Sequence, residues 1–264
     1  MSASPPPATQ HSELARRARL RLLRMHHEAG VGHVGGNLSA LDAMLVLHHR
    51  VMTPEDSFIL SKGHAAGALY VTLWTTGELD DAQLTEFHAD GSRLSGHPAA
   101  GWTPGIPFAT GSLGHGLPVS AGVALARKLE GRPGRVFCLC SDGEWQEGSN
   151  WEALIFARHQ RLAPLVLLVD VNGLQGFGST AEVGGIKNLS ERFEAFGIPT
   201  VECDGHDAAA LEEALLDPAP GPRAVLLQTV KGKGVSFMEN RLEWHYLPLD
   251  AEHYARAIAE VESA

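Results

Sequence analysis

Short apolar runs alternate with stretches of helical length along most of the chain. Two runs are nearly continuous: Val136, Phe137, Cys138, Leu139, Cys140, and then Leu165, Val166, Leu167, Leu168, Val169. Neither alternates polar with apolar residues, which suits parallel strands buried on both faces and joined by a crossover helix. Residues 150–160 supply that helix. Further strands are predicted at 58–60, 200–203 and 224–229. Helices are predicted over 12–29, 39–50, 65–76, the stretch ending near 127, 190–196, 208–216 and 251–263. The pattern implies an α/β fold: a doubly wound, mostly parallel sheet with helices on both faces. A single domain over 12–264 is expected, preceded by a loose Pro-rich tail over 1–11 that lacks the apolar segment of a signal peptide. Residues 78–107 read as a long loop, and loops of that length are more often functional than idle.

The strand ends carry the first candidate chemistry. Asp142 and Asn172 fall just past two parallel strands, the edge where open α/β sheets place ligands. A carboxylate and an amide oxygen are hard ligands suited to Mg²⁺, which completes its shell with water and a bound phosphate. Glycine-rich turns recur after strands (SKGH, SDGEW, NGLQGFG, DGHD, KGKG) and let backbone N–H groups approach an anion. Neither GxGxxG nor GxxxxGK[ST] is present, so the nicotinamide and nucleoside-triphosphate signatures are missing. A diphosphate bridged by Mg²⁺ fits what remains.

Histidine is in excess, with fourteen copies. Five sit in loops: His33, His64, His97, His115 and His245. Together they suggest a polar cleft in which imidazoles hydrogen-bond hydroxyl or phosphate oxygens and move protons. His26, His27, His48, His49 and His88 read as ordinary structural residues.

Composition narrows the class. A net charge of −10 with no basic stripe argues against nucleic acid as a partner. No apolar run approaches the ~20 residues of a membrane span. Three cysteines without a CxxC give neither a disulfide framework nor a zinc ribbon. A cytoplasmic location is the expectation.

At SDGEWQEGSNWEA followed by VDVNGLQ, the chain resembles thiamine-diphosphate enzymes, whose acidic turn is followed thirty residues later by an asparagine. GHVGGNLSA, LSKGHAAGALY, SGHP, TGSLGHG, FEAFG, DGHD and KGKGVSFMEN match transketolases in that family's order. Most closely the chain resembles the N-terminal subunit of a split, two-gene transketolase, over about 14–248. The resemblance implies thiamine diphosphate and Mg²⁺ as cofactors and transfer of a two-carbon ketol unit from a ketose (phosphate) to an aldose. By position it implies that Asp142, Asn172 and the Leu174 carbonyl hold Mg²⁺, with Gly143 in the same turn. It places His64 on the diphosphate and Gly111, Ser112, Leu113 and Gly114 along the cofactor. It gives His33, His97 and His245 to the substrate channel, for hydroxyl contacts and proton transfer, and Glu147 to the subunit interface and cofactor activation. The implied partner is a separate pyrimidine-binding subunit of roughly 300 residues, in an α2β2 heterotetramer. A non-catalytic scaffold of the same fold is the alternative from another class. A deoxyxylulose-phosphate synthase or an E1-type dehydrogenase component shares the metal motif but is disfavoured by the GHP, LGHG and DGHD set. Two positions depart from the family pattern. Ser141 replaces the first glycine of the acidic turn, which a negative φ tolerates, and Tyr246-Leu247-Pro248 replaces a Gly-Lys-like turn after His245.

Overall fold

A computed structural model describes residues 8–263 except Trp102, Pro104 and Ile186. Among the described residues the strands are β1 (Ser57–Leu60), β2 (Val136–Ser141), β3 (Leu165–Val171), β4 (Leu174–Gln175), β5 (Gly178–Ser179), β6 (Thr200–Asp204) and β7 (Arg223–Gln228). The helices before β2 are α1 (Ala8–Ala29), α2 (Val34–Val46), α3 (Ala66–Thr76), α4 (Asp81–Leu84) and α5 (Gly116–Glu130). After β2 come α6 (Gly148–His159), α7 (Thr180–Gly184), α8 (Leu189–Ala195), α9 (Ala208–Leu216) and α10 (Ala251–Ser263). Five strands form one parallel sheet in the order β1-β2-β3-β7-β6, while β4 and β5 make a small hairpin.

The apolar runs explain the layering. Phe137, Leu139, Val166, Leu168, Val225 and Leu227 point to one face, where α1, α2, α3, α9 and α10 cover them. Val136, Cys138, Cys140, Leu165, Leu167, Val169 and Leu226 point to the other, under α5, α6 and α8. Both faces are therefore dry, which is why these strands read as continuous apolar runs instead of alternating ones. Truncating a leucine at the sheet centre would remove packing worth on the order of 2–5 kcal/mol.

Three expectations need correction. The glycine-dense stretch GHVGG is not a loop before a helix at 39: α2 starts at Val34, directly after His33, whose φ is +68°. Gly35 is there for close packing, since a methyl group on it would lie 3.1 Å from the Trp244 carbonyl oxygen and 3.3 Å from Lys231 Cγ. At the N-terminus, α1 begins at Ala8, so residues 8–11 are helical and not part of a loose tail; residues 1–7 of that tail lie outside the described residues. The stretch 78–107 contains the short helix α4, opened by Asp80 and Gln83 capping each other's backbone N–H.

The topology fixes where a crevice opens. After β3 the chain passes through the β4–β5 hairpin to α8 on one face. After β7 it passes to Val235 and Met238 in the core of the other face. Neighbouring strands that feed opposite faces leave a gap at their C-terminal ends, between the loops that follow β3 and β7.

Burial also sets an acid sensitivity. His26 is fully buried beside Phe87, and burial pushes it from 6.5 down to about 4. Between those values the unfolded chain takes up a proton that the folded chain refuses, so stability is full above about pH 6.5 and falls as pH drops toward about 4. The full span is worth on the order of 3 kcal/mol. Urea unfolding at pH 7 and pH 5 is expected to show a smaller loss of stability for His26→Phe than for the wild type. Equal losses would contradict this.

Candidate functional site

Asp142 follows β2, whose last residue, Ser141, pairs with Asp170 of β3. Its buried carboxylate accepts from Gly143 N–H at 2.8 Å and from Gly173 N–H at 2.7 Å, so two turns hold it in one orientation. Burial, and then the negative charge of Asp170, push its carboxyl up to about 6. Asn172 lies just past β3. Its Oδ1 accepts from Leu174 N–H at 3.1 Å, and its Nδ2 donates to Ser39 Oγ at 3.2 Å. The Leu174 carbonyl faces Lys231 Nζ at 3.5 Å.

Behind these groups lies a buried ion pair that the sequence pattern did not reveal. Lys62 is 1% exposed and Asp170 is 0% exposed, and their charged ends are in direct contact. Lys62 Nζ also donates to the Gly36 carbonyl at 2.9 Å and to Ser39 Oγ at 3.2 Å. Thr229 Oγ1 donates to the other oxygen of Asp170, joining β7 to the network. Burial acts to raise the Asp170 carboxyl, but the ammonium and these donors outweigh it and hold the group below its ordinary range. A single aspartate inside the otherwise apolar VLLVDV run was the signal available for this.

The predicted histidine cleft forms, with one exception. His33 lies 5.6 Å from His64, 6.2 Å from His97 and 5.4 Å from His245 between ring centroids, and His64 lies 5.4 Å from His245. His115 is exposed at the start of α5, its Nδ1 3.1 Å from the Leu113 carbonyl, and stays outside the group. Burial lowers all four clustered imidazoles. For His33 the His97 ring adds to it, for His64 the Lys62 ammonium does, and His245 is pushed to about 3 by burial and then Lys231. Lys231 Nζ sits 2.8 Å from His245 Nδ1, and burial followed by Lys62 lowers its ammonium to about 8. Lys231, too, did not stand out in the sequence.

These groups share one cavity of about 420 Å³, lined by His33, His64, His97, His245, Asp142, Gly143, Asn172, Leu174, Gly111, Leu113 and Glu147, together with Lys62 and Lys231. Ser112 and Gly114 do not line it. Gly111 has φ +134°, and a methyl group there would lie 2.9 Å from His97 Cδ2, so the turn can press against the imidazole only as glycine. Gly114 packs its Cα face against the Glu147 side chain. Glu147 itself is exposed at the start of α6 and makes no capping bond. The buried acid nearby is Glu144, which accepts from Ser61 Oγ at 2.5 Å, Gly114 N–H at 3.0 Å and Ser141 N–H at 2.8 Å. Ser141 avoids the positive-φ region, and its hydroxyl faces Glu144 at 3.4 Å. Tyr246 forms part of the cavity wall, and its Oη lies so close to Gly176 that a side chain there would collide with it. A larger hollow of about 1120 Å³ lies between the starts of α1 and α9 and Lys233. Its arginines are already paired, Arg19 with Asp42, Arg50 with Glu212 and Arg16 with Glu13.

The donor set suits a hard cation. Among the described residues no group of three or more His, Cys, Asp or Glu could hold a metal ion. The sheet edge offers one carboxylate, one amide and one backbone carbonyl on the same cavity. Oxygen donors few enough to leave room for water and phosphate fit Mg²⁺.

Residues 11–261 match the model of the family described as transketolase, thiamine diphosphate binding domain. The chain is 37% identical over 257 residues to one of the subunits of the apulose-4-phosphate transketolase of Actinobacillus succinogenes, covering 93% of each chain. It is 38% identical over 247 residues to the 6-deoxy-6-sulfo-D-fructose transketolase subunit SqwG of a Clostridium species, covering 88% of this chain and 89% of that one. The crystal structure of Campylobacter jejuni transketolase superimposes with a TM-score of 0.91 at 27% identity, covering 97% of this chain and 43% of that one. No helix among the described residues is long and apolar enough to cross a membrane.

With Lys231 donating to Nδ1, the proton of His245 resides on Nε2. Nitrogen-detected NMR is expected to show that tautomer, with the ring neutral from pH 8 down to about pH 4. Lys231→Met is expected to raise its titration toward the ordinary histidine range. A wild-type ring titrating near pH 6.5 would contradict the arrangement.

Proposed function

The chain belongs to the transketolase family, as its thiamine-diphosphate-binding domain, and from that premise we propose that it is the diphosphate-binding subunit of a two-chain transketolase. Such an enzyme transfers a two-carbon ketol unit from a ketose, or a ketose phosphate, to an aldose. The observation that carries the reading is the convergence on one cavity of three oxygen donors, Asp142, Asn172 and Leu174, with four neutral imidazoles.

In this reading Asp142, Asn172 and the Leu174 carbonyl hold Mg²⁺. Asp142 would be ionised there, because the charge of a bound cation would offset the burial and the Asp170 charge that raise its carboxyl. Gly143, His64 and the cavity-lining Gly111 and Leu113 would lie along the cofactor, with Lys231 beside the Leu174 carbonyl; Ser112 and Gly114 belong to the same turn but do not line the cavity. Bound thiamine diphosphate supplies the electron sink that lets the carbon–carbon bond beside the ketose carbonyl break. The protein positions the sugar. His33, His97 and His245, held neutral by burial, donate to or accept from the ketose hydroxyls and carbonyl and move protons among them. His245 presents Nε2–H because Lys231 occupies its Nδ1.

Three residues that line the cavity, Glu147, Phe177 and Val183, are exposed. Phe177 is 86% exposed and Val183 is 43% exposed, an apolar rim suited to a partner chain. We assign that place to a pyrimidine-binding subunit, in an α2β2 assembly in which Glu147 faces the partner and supports cofactor activation. We place the assembly in the cytoplasm, where the free thiols of Cys138, Cys140 and Cys203 stay reduced.

Two outcomes are expected. Asp142→Ala abolishes Mg²⁺-dependent cofactor binding in calorimetry, and unchanged affinity would remove the metal assignment. Ketol transfer by the cofactor-loaded chain alone is lower by a factor of about 100 or more than by its mixture with a pyrimidine-binding partner, whose acid activates the cofactor. Equal rates would overturn the two-chain reading.

A further inference from the structure

Asp170 lies two residues before Asn172, points into the protein, and reaches neither the cavity wall nor solvent. Its carboxylate is surrounded by four groups. Oδ2 meets the Lys62 ammonium, Ser39 Oγ at 2.6 Å and Asn172 Nδ2 at 3.5 Å, while Thr229 Oγ1 donates to Oδ1. A carboxylate paired with an ammonium only accepts hydrogen bonds. Asn172 must therefore turn its NH₂ toward Asp170 and Ser39. Its carbonyl oxygen is left on the opposite side, with the Leu174 N–H and the cavity.

An asparagine amide is nearly symmetric in shape, so its two ends are told apart only by what they bond. On the loop side the Leu174 N–H marks the oxygen end; on the core side Ser39 alone would not mark the nitrogen end, because a hydroxyl accepts or donates with equal ease. Its hydroxyl instead donates toward Asp170 or the Gly36 carbonyl, at 2.6 and 3.0 Å, and receives from Lys62 and Asn172. On the core side of the amide, the direction of every bond follows from the one buried charge pair.

We infer that Asp170 is the positioning residue that aims the Asn172 amide oxygen at the metal position, acting through the buried Lys62–Asp170–Ser39 cluster. The inference rests on the proposed metal site and adds the group that sets the orientation of one ligand. It also explains why an amide stands there. A carboxylate at 172 would turn one oxygen toward Asp170 in a buried setting, where like charges repel most strongly.

The test is a set of variants of the full chain, checked for folding by circular dichroism and titrated with thiamine diphosphate in the presence of Mn²⁺ or Mg²⁺. Asn172→Asp keeps the Lys62–Asp170 pair and adds a negative charge beside the cation, which alone would tighten binding. The expected result is the reverse, a metal-dependent affinity at least tenfold weaker. The exchange D170N/N172D lets the new amide at 170 donate to the new carboxylate at 172, and it is expected to recover affinity to within about threefold of the wild type. Asn172→Asp binding as tightly as the wild type, or a folded exchange variant no better than Asn172→Asp, would overturn the inference. If the exchange variant does not fold, Asn172→Asp alone decides. Asp142→Ala separates the two readings. If it leaves binding intact, or if the wild type shows no metal-dependent binding, the metal site itself fails and the inference with it. If it abolishes binding while Asn172→Asp does not weaken it, only the role of Asp170 fails.

Discussion

The contact between Lys62 and Asp170 places two full charges where neither meets water. Removing water from such ions costs several kcal/mol each, and the cost is offset only when geometry and hydrogen bonding are complete. Here both conditions hold. The pair gathers the loop after β1, the first turns of α2, the end of β3 and the segment after β7, through Gly36, Ser39 and Thr229. These are the segments that surround the crevice. Loss of one partner would leave the other charged and buried, a destabilisation of about 3–5 kcal/mol. The sheet edge is therefore rigid before any ligand arrives, and the donors around it are already aimed.

That rigidity fits a site completed from outside. The sheet brings Asp142 and Asn172 to neighbouring strand ends, and the divergence of the loops after β3 and β7 opens the space beside them. Four imidazoles from four separate loops close over it, kept neutral by burial and the nearby ammonium groups. The rim formed by Glu147, Phe177 and Val183 stays exposed. The chain covers nearly the whole of the related Actinobacillus succinogenes transketolase polypeptide but 43% of the Campylobacter transketolase. In the proposed function, the exposed rim is where the partner chain docks.

Much of this was legible in the chain because it depends on local pattern. The apolar runs at 136–140 and 165–169 became β2 and β3 with small changes at their ends. Asp142, Asn172 and His64 were visible as polar residues in glycine turns after strands, His33, His97 and His245 as histidines in loops, and the structure brings them to one cavity. What escaped depends on distance along the chain. Lys62 and Asp170 are 108 residues apart, and nothing near either one announces the other. The stretch GHVGG read as a loop because glycine usually breaks helices, yet here it lets α2 approach Trp244 and Lys231. Glu144 and Glu147 look alike in sequence. Only the fold shows that the first is buried as a hydrogen-bond acceptor for Ser61, Gly114 and Ser141, and that the second stands exposed at the rim.

In the proposed function, this chain alone already builds the metal–diphosphate half of the site. Pulsed electron–nuclear double resonance on the isolated chain, loaded with Mn²⁺ and thiamine diphosphate, addresses it most directly. The expected result is a phosphorus coupling that reports direct contact between the metal and the diphosphate without any partner present. A manganese signal coupled only to water protons would contradict it.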